Sequence, residues 1–190
     1  MSRLDSFLRR VTAQRDCLDH AAKLIAHVDG PIVELGLGNG RTFDHLRALF
    51  PRREIFAFDR RLAADPASAP DAAHLVLGDF RDTLPDALTR VGAPAALVHC
   101  DFGSGRPEHD AALATWLASM LRPLLARGAV VVSDQALDHA SLAPEVPPDG
   151  VEPGRYFIDR AGEARSAMAR RLGAFSHGAP ARRVQPWRAA

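Results

Sequence analysis

Five short apolar runs recur along this chain, separated by stretches with helical spacing, and that alternation limits the fold more than any other feature. The runs are residues 31–35, 54–58, 74–77, 95–100 and 129–133. Helical patterns lie between them at about 42–50, stopped by Pro51, and at 82–91 and 107–126. Ahead of the first run, Leu4, Phe7, Leu8 and Val11, then Leu18, Ala21, Ala22, Ile25 and Val28, predict one or two amphipathic helices over residues 3–28. Such a rhythm builds parallel strands joined by right-handed crossovers, with helices on both faces. The expectation is an α/β chain with a doubly wound, mostly parallel, Rossmann-like sheet.

Ligands of such sheets bind outside the carboxyl ends of the strands, near the point where strand order reverses. Here the second to fifth runs lead into Asp59, Asp79, Asp101 and Asp134. An acid there can be a turn or helix-cap residue, but four at one edge also suit a binding site. The first run carries Glu34 inside it and enters the stretch VELGLGNGRT at residues 33–42. A dinucleotide-binding fingerprint would read GxGxxG. Gly36 and Gly38 comply, but the third required glycine is Arg41, and the pattern is instead GxGxG closed by Gly40.

Glu34 followed by this GxGxG resembles motif I of the class I S-adenosylmethionine-dependent methyltransferases, and the resemblance extends through most of residues 31–134. It implies S-adenosyl-L-methionine as cofactor. Gly36, Gly38 and Gly40, with Asn39 and Thr42, would let backbone groups approach its methionine and ribose portions. Glu34 would face the ammonium, directly or through water. Asp59 lies 19 residues past Gly40, near the spacing of about 20 at which an acid meets a ribose diol in such folds, with Arg60 beside it. Gly78-Asp79-Phe80 looks like the adenine motif, Asp79 accepting from the amino group and Phe80 or a neighbour stacking on the ring. Asp101 completes the implied cofactor set.

For the transfer itself, the candidates are Asp101, His99 and His139. A methyl acceptor with a hydroxyl needs its proton removed, and either histidine, or a carboxylate, suits that chemistry. The segments around Asp101 and around Asp134-Gln135 also resemble the two strand ends that hold a divalent metal in catechol-type O-methyltransferases. That resemblance implies Asp101, Asp134 and Gln135 as ligands of an ion such as magnesium. Gln135 departs from the Asn of those families. The alternative is that Asp101 contacts substrate or cofactor while Asp134 caps a following helix. The loop Gly103-Ser-Gly105 either flexes over the site or simply turns.

After the fifth run, only residues 155–159 look like a strand, and the Pro-rich stretch 141–154 suits a loop walling the acceptor pocket, so the sheet is expected to have six strands or an unconventional edge. With 190 residues and 47% hydrophobic content, one sizeable core is the expectation: a single methyltransferase domain over 1–160, its N-terminal segment 1–30 acting as a lid. Residues 161–190 carry Arg165, Arg170, Arg171, Arg182, Arg183 and Arg188 against Glu163 alone and read as a flexible basic tail. The length resembles small single-domain bacterial methyltransferases. No apolar stretch approaches the roughly 18 residues of a membrane span, the N-terminus has no apolar signal core, and Cys17 and Cys100 lack metal or disulfide spacing. A cytoplasmic enzyme with a small-molecule acceptor is expected, with no membrane partner and with homo-oligomers allowed. Nucleic acid is disfavoured as acceptor, because the slot after the fourth strand reads Asp101-Phe-Gly-Ser rather than an NPPY-like motif. The alternatives from other classes are a non-catalytic S-adenosylmethionine-binding protein and an NAD(P)-binding oxidoreductase.

Overall fold

The computed structural model describes residues 2–162; the remainder of the basic segment expected over 161–190 lies outside the described residues. The chain opens with α1, Arg3–Leu24, a single helix rather than two. The Ser2 hydroxyl accepts the Asp5 N–H at 3.0 Å while the Asp5 carboxylate accepts the Ser2 N–H at 2.9 Å, a reciprocal cap that satisfies two donors the helix leaves open. Ala13, Gln14, Cys17, Leu18 and Ala21 make its buried face.

Next comes β1 (Ile32–Leu35), buried at all four positions, as befits a central parallel strand covered on both sides. It is followed by α2 (Arg41–Leu49), β2 (Ile55–Asp59), β3 (Leu75–Leu77), α3 (Phe80–Thr83), α4 (Ala87–Val91), β4 (Ala95–Cys100), α5 (Pro107–Met120), β5 (Leu125–Ser133), β6 (Leu142–Pro144) and β7 (Phe157–Ala161). They form one seven-stranded sheet in the order β3-β2-β1-β4-β5-β7-β6. The first five strands are parallel, and β7 runs antiparallel between β5 and β6. Because side chains alternate across the pleat, Ile32, Leu97, Val130 and Val132 pack with α1 and α2. Val33, Leu35, Val98 and Val131 pack on the other face with α5. Strand order reverses between β1 and β4, so their carboxyl ends open the crevice where ligands are held in such sheets.

Proline accounts for most departures from expectation. The helix expected over 82–91 is split into α3 and α4 around Pro85, which has no N–H for the helical ladder. The helix expected over 107–126 stops at Met120, a short 3-10 turn at Arg122–Leu124 holds Pro123, and β5 begins at Leu125 rather than at 129. The stretch expected as a plain loop, 141–154, contains β6, so the sheet has seven strands and not six. Pro144 is tolerated there because β6 is an edge strand with only β7 beside it.

Candidate active site

The loop after β1 is shaped by close backbone approach. Gly36 has φ +96°, and a Cβ on it would sit 2.2 Å from the carbonyl oxygen of Asp101. Only glycine lets the ends of β1 and β4 come this close. The Gly36 N–H donates to the carbonyl of Phe58 at 2.9 Å, and the Gly38 N–H donates to the Asp59 carboxylate at 2.9 Å. The loop then turns into α2 at Gly40.

A cavity of about 460 Å³ lies at this switch point. One wall is Gly36, Leu37, Gly38 and Asn39 with Arg41 and Thr42; another is Arg10, Val11 and Gln14 of α1; the third is Asp101, Gly103, Gly105, Asp110, Asp134 and Gln135. The N-terminal helix thus does border the site. A second cavity, about 410 Å³, is bordered by Phe43, Arg47, Glu54 and His74 at the amino end of β2, away from the switch point.

The two carboxylates in the site have different surroundings. Asp101 accepts from Arg10 at 3.1 Å and from the Gln14 amide at 2.9 Å. Asp134 accepts the N–H groups of Phe102 at 3.3 Å and Gly103 at 2.9 Å, and the Gln135 amide at 3.2 Å. Burial raises the Asp134 carboxyl above the usual aspartate range, and the charge of Asp101 adds to the effect. On the far side of the same loop, Asp110 accepts the Ser104 hydroxyl at 2.6 Å and its N–H at 3.0 Å, and the Ser104 hydroxyl is the main reason its carboxyl falls to about 2. Asp134 and Asp110 thus hold residues 102–104 from both sides.

Gly36, Gly38, Asn39, Thr42, Asp101, Asp134 and Gln135 therefore come together around one cavity. Asp59 reaches it through its bond to Gly38 and also accepts the Arg61 N–H at 3.2 Å. Arg60, Asp79 and Phe80 border a separate small cleft with His109, and Asp79 caps α3 by accepting the Arg81 N–H at 3.0 Å. Gly40 starts α2 and Gly78 follows β3; neither borders the cavity. Glu34 is fully buried beneath the loop. Its Oε1 accepts the Thr42 hydroxyl, whereas Oε2 has no partner.

Both histidine candidates need correction. His99 is fully buried, with Nε2 at 2.8 Å from the Tyr156 hydroxyl and Nδ1 at 3.5 Å from Glu34, and it does not line the cavity. The His139 Nδ1 lies 2.7 Å from the Ser141 hydroxyl, in the turn before β6 and outside the cavity wall. No helix follows Asp134, so the expectation that it caps one also fails.

Nothing in the sequence singles out Arg10 or Tyr156, and Gln14 falls within the 1–30 segment expected as a lid. Tyr156 is the chain's one tyrosine and sits 1% exposed just before β7. Gln14 bridges it to Asp101, donating one amide hydrogen to each at 2.9 Å. The one available signal was the i, i+4 spacing of Arg10 and Gln14 on α1, which puts both on the same helix face.

The residues fit the cofactor the fold implies: a backbone cradle at Gly36–Gly38, an unpartnered buried Glu34 oxygen beneath it, and opposite charges at Arg10 and Asp101. They do not fit a metal. The Asp134 carboxylate is taken up by two backbone N–H groups and the Gln135 amide, which donates instead of offering its oxygen, and Asp101 is taken up by Arg10 and Gln14. Among the described residues no group of three His, Cys, Asp or Glu is placed to hold an ion.

Comparison with known proteins agrees with this geometry. The family model described as S-adenosyl-L-methionine methyltransferase matches residues 1–161. The chain is 44% identical to the S-adenosyl-L-methionine methyl transferase of Silicibacter pomeroyi DSS-3, over 85% of this chain and 99% of that one, with a TM-score of 0.80. It shares its fold with MycE, a methyltransferase of the mycinamycin pathway solved with Mg and SAH, at 15% identity and a TM-score of 0.51. That match covers 94% of this chain but 56% of the longer MycE chain. No curated protein matches the sequence.

Proposed function

This chain belongs to the S-adenosyl-L-methionine methyltransferase family, and on that premise we propose that it methylates a small, polar acceptor in the switch-point cavity, with Asp134 taking the acceptor's proton. An NAD(P)-dependent oxidoreductase is thereby set aside. When bound, S-adenosyl-L-methionine supplies a methyl group already activated on a sulfonium, for in-line displacement.

The chain's part is to hold, orient and deprotonate. Arg10 and Asp101 present opposite charges suited to the carboxylate and ammonium of the methionine end. Asp59 keeps lone pairs beyond those given to Gly38 and Arg61, enough for a ribose diol. Asp79 and Phe80 are the adenine candidates. Asp101 is engaged by Arg10 and Gln14, which leaves Asp134 as the proton acceptor: three of about four of its carboxylate lone-pair sites are taken. Its raised pKa makes it a stronger base than an ordinary aspartate.

One observation carries the acceptor reading. Among the described residues, Val11 and Leu37 are the only large apolar side chains on the cavity wall, whose remaining members are charged, polar or glycine. A greasy or aromatic acceptor would find little to pack against. As part of the same reading the protein works in the cytoplasm, its buried cysteines Cys17 and Cys100 staying as thiols.

The test is a mass-spectrometric screen for methyl transfer with S-adenosyl-L-methionine against polar hydroxyl- and amine-bearing small molecules, alongside RNA and protein acceptors. Transfer to a small polar compound is expected. Transfer confined to RNA or protein overturns the acceptor class, and cofactor binding without transfer to any acceptor overturns the catalytic role of Asp134.

A further inference from the structure

We infer that Tyr156, His99 and Gln14 form a buried positioning chain that lets Asp101 read the amino-acid end of the cofactor. The inference rests on the reading, given above, that Arg10 and Asp101 meet that end.

With Gln14 donating and His99 protonated on Nδ1, the contacts run in one direction. Gln14 has two amide hydrogens, one directed to Asp101 Oδ2 and one to the Tyr156 oxygen, each at 2.9 Å. With its oxygen accepting, the Tyr156 hydroxyl donates to His99 Nε2 at 2.8 Å. The remaining His99 proton then sits on Nδ1, facing Glu34 Oε1 at 3.5 Å. Glu34 in turn takes the Thr42 hydroxyl at the start of α2. Five elements or their flanks are pinned together: β1, α2, β4, α1 and the residue before β7.

These groups sit in the apolar layer between the sheet and α1, where Ile32, Leu97 and Val132 are their neighbours. Glu34, His99, Tyr156 and Gln14 are all at most 6% exposed. A layer that needed only volume would hold phenylalanine and leucine here, because buried polar groups are costly unless paired, and Glu34 Oε2 and His99 Nδ1 are left without hydrogen bonds. Gln14 is the member on the cavity wall, and the group it serves there is Asp101. The second amide hydrogen goes to Tyr156 at 2.9 Å, nearer than His99 Nε2 at 3.4 Å, so Tyr156 is the main partner that holds the amide in this orientation. Tyr156 thus acts through Gln14 on a carboxylate it does not touch.

The experiment compares two probes by calorimetry: S-adenosylhomocysteine, which carries the amino-acid end, and 5′-methylthioadenosine, which lacks it. The variants are Tyr156→Phe, Gln14→Met, Asp101→Asn and the Tyr156→Phe/Asp101→Asn double, with thermal unfolding of each. Loss of one aimed hydrogen bond should weaken S-adenosylhomocysteine about three- to tenfold in Tyr156→Phe and Gln14→Met. Methylthioadenosine should bind as before, and Tyr156→Phe should add nothing once Asp101 is Asn. Equal weakening of both probes, or of neither, overturns the inference and leaves the chain a packing device. Unchanged S-adenosylhomocysteine affinity in Asp101→Asn would instead overturn the underlying assignment of Asp101. Gln14→Met, on the helix face, supplies the same comparison if Tyr156→Phe does not fold.

Discussion

The carboxylate of Asp59, at the end of β2, accepts the N–H of Gly38, in the loop after β1, at 2.9 Å. The residue proposed for the ribose therefore also braces the glycine loop. Asp59→Ala removes both functions. Since a hydrogen bond to a charged group contributes about 1.5–3 kcal/mol, calorimetry should show S-adenosylhomocysteine affinity falling about ten- to hundredfold, with methylthioadenosine falling in parallel because it too has the ribose. Unchanged affinity would rule out Asp59 as the ribose partner.

Gly36 and Gly38 should not be equivalent. Both have positive φ, +96° and +53°, but a Cβ on Gly38 meets nothing within 4 Å, whereas on Gly36 it meets the Asp101 carbonyl at 2.2 Å. Gly38→Ala should cost about 1–2 kcal/mol of unfolding free energy, the price of a left-handed L-residue. Gly36→Ala should cost more and pull β1 from β4. Equal unfolding midpoints for the two variants would count against the close contact.

Asp134 gives a pH signature. As a base it must be ionised, and its carboxyl is held above the ordinary value of 3.8 by burial and by Asp101. The acid limb of the rate profile should therefore lie above that value, activity rising with pH as Asp134 loses its proton. Asp134→Asn should lower turnover about a hundredfold or more while S-adenosylhomocysteine affinity changes far less. A variant that keeps its turnover would remove Asp134 from the chemistry.

How much of this could be read from sequence depended on distance along the chain. The glycine loop, Glu34 and Asp59 follow each other at short, patterned spacings, and the parallel strands announce themselves as apolar runs ending in acids. Tyr156 and Gln14 lie 142 residues apart and Gln14 and Asp101 lie 87 apart, so no local pattern joins them. His99 looked like a base because a histidine next to Asp101 suits that role; its complete burial follows from α1 and Tyr156 covering that strand. Strand β6 escaped notice because three residues ending in proline carry no period-two signal.

Chelation should leave methyl transfer intact. Asp101, Asp134 and Gln135 direct their polar atoms to Arg10, Gln14, the 102–103 backbone and one another. Assay after exhaustive EDTA treatment should match the untreated enzyme. Loss of activity restored by magnesium would show that this trio rearranges around an ion.

Asp159 on β7 should tilt stability with pH. It is 6% exposed, and burial, reinforced by Asp138, raises its carboxyl to about 6. The folded chain therefore binds a proton that the unfolded chain, near 3.9, has already released. Stability from this group falls as pH rises from about 4 to 6, by at most about 3 kcal/mol, and stays low above that. Asp159→Asn should raise the unfolding midpoint at pH 7.5 and flatten the profile between pH 4 and 6. A midpoint that is unchanged or lower would contradict the buried-acid explanation.

The most direct measurement is electron density from a crystal soaked with S-adenosylhomocysteine. The ligand is expected in the cavity between β1 and β4, its amino-acid end between Arg10 and Asp101, its ribose at Asp59 and its sulfur facing Asp134. Density in the cavity beside Arg47 and His74, or an amino-acid end turned away from α1, would contradict it.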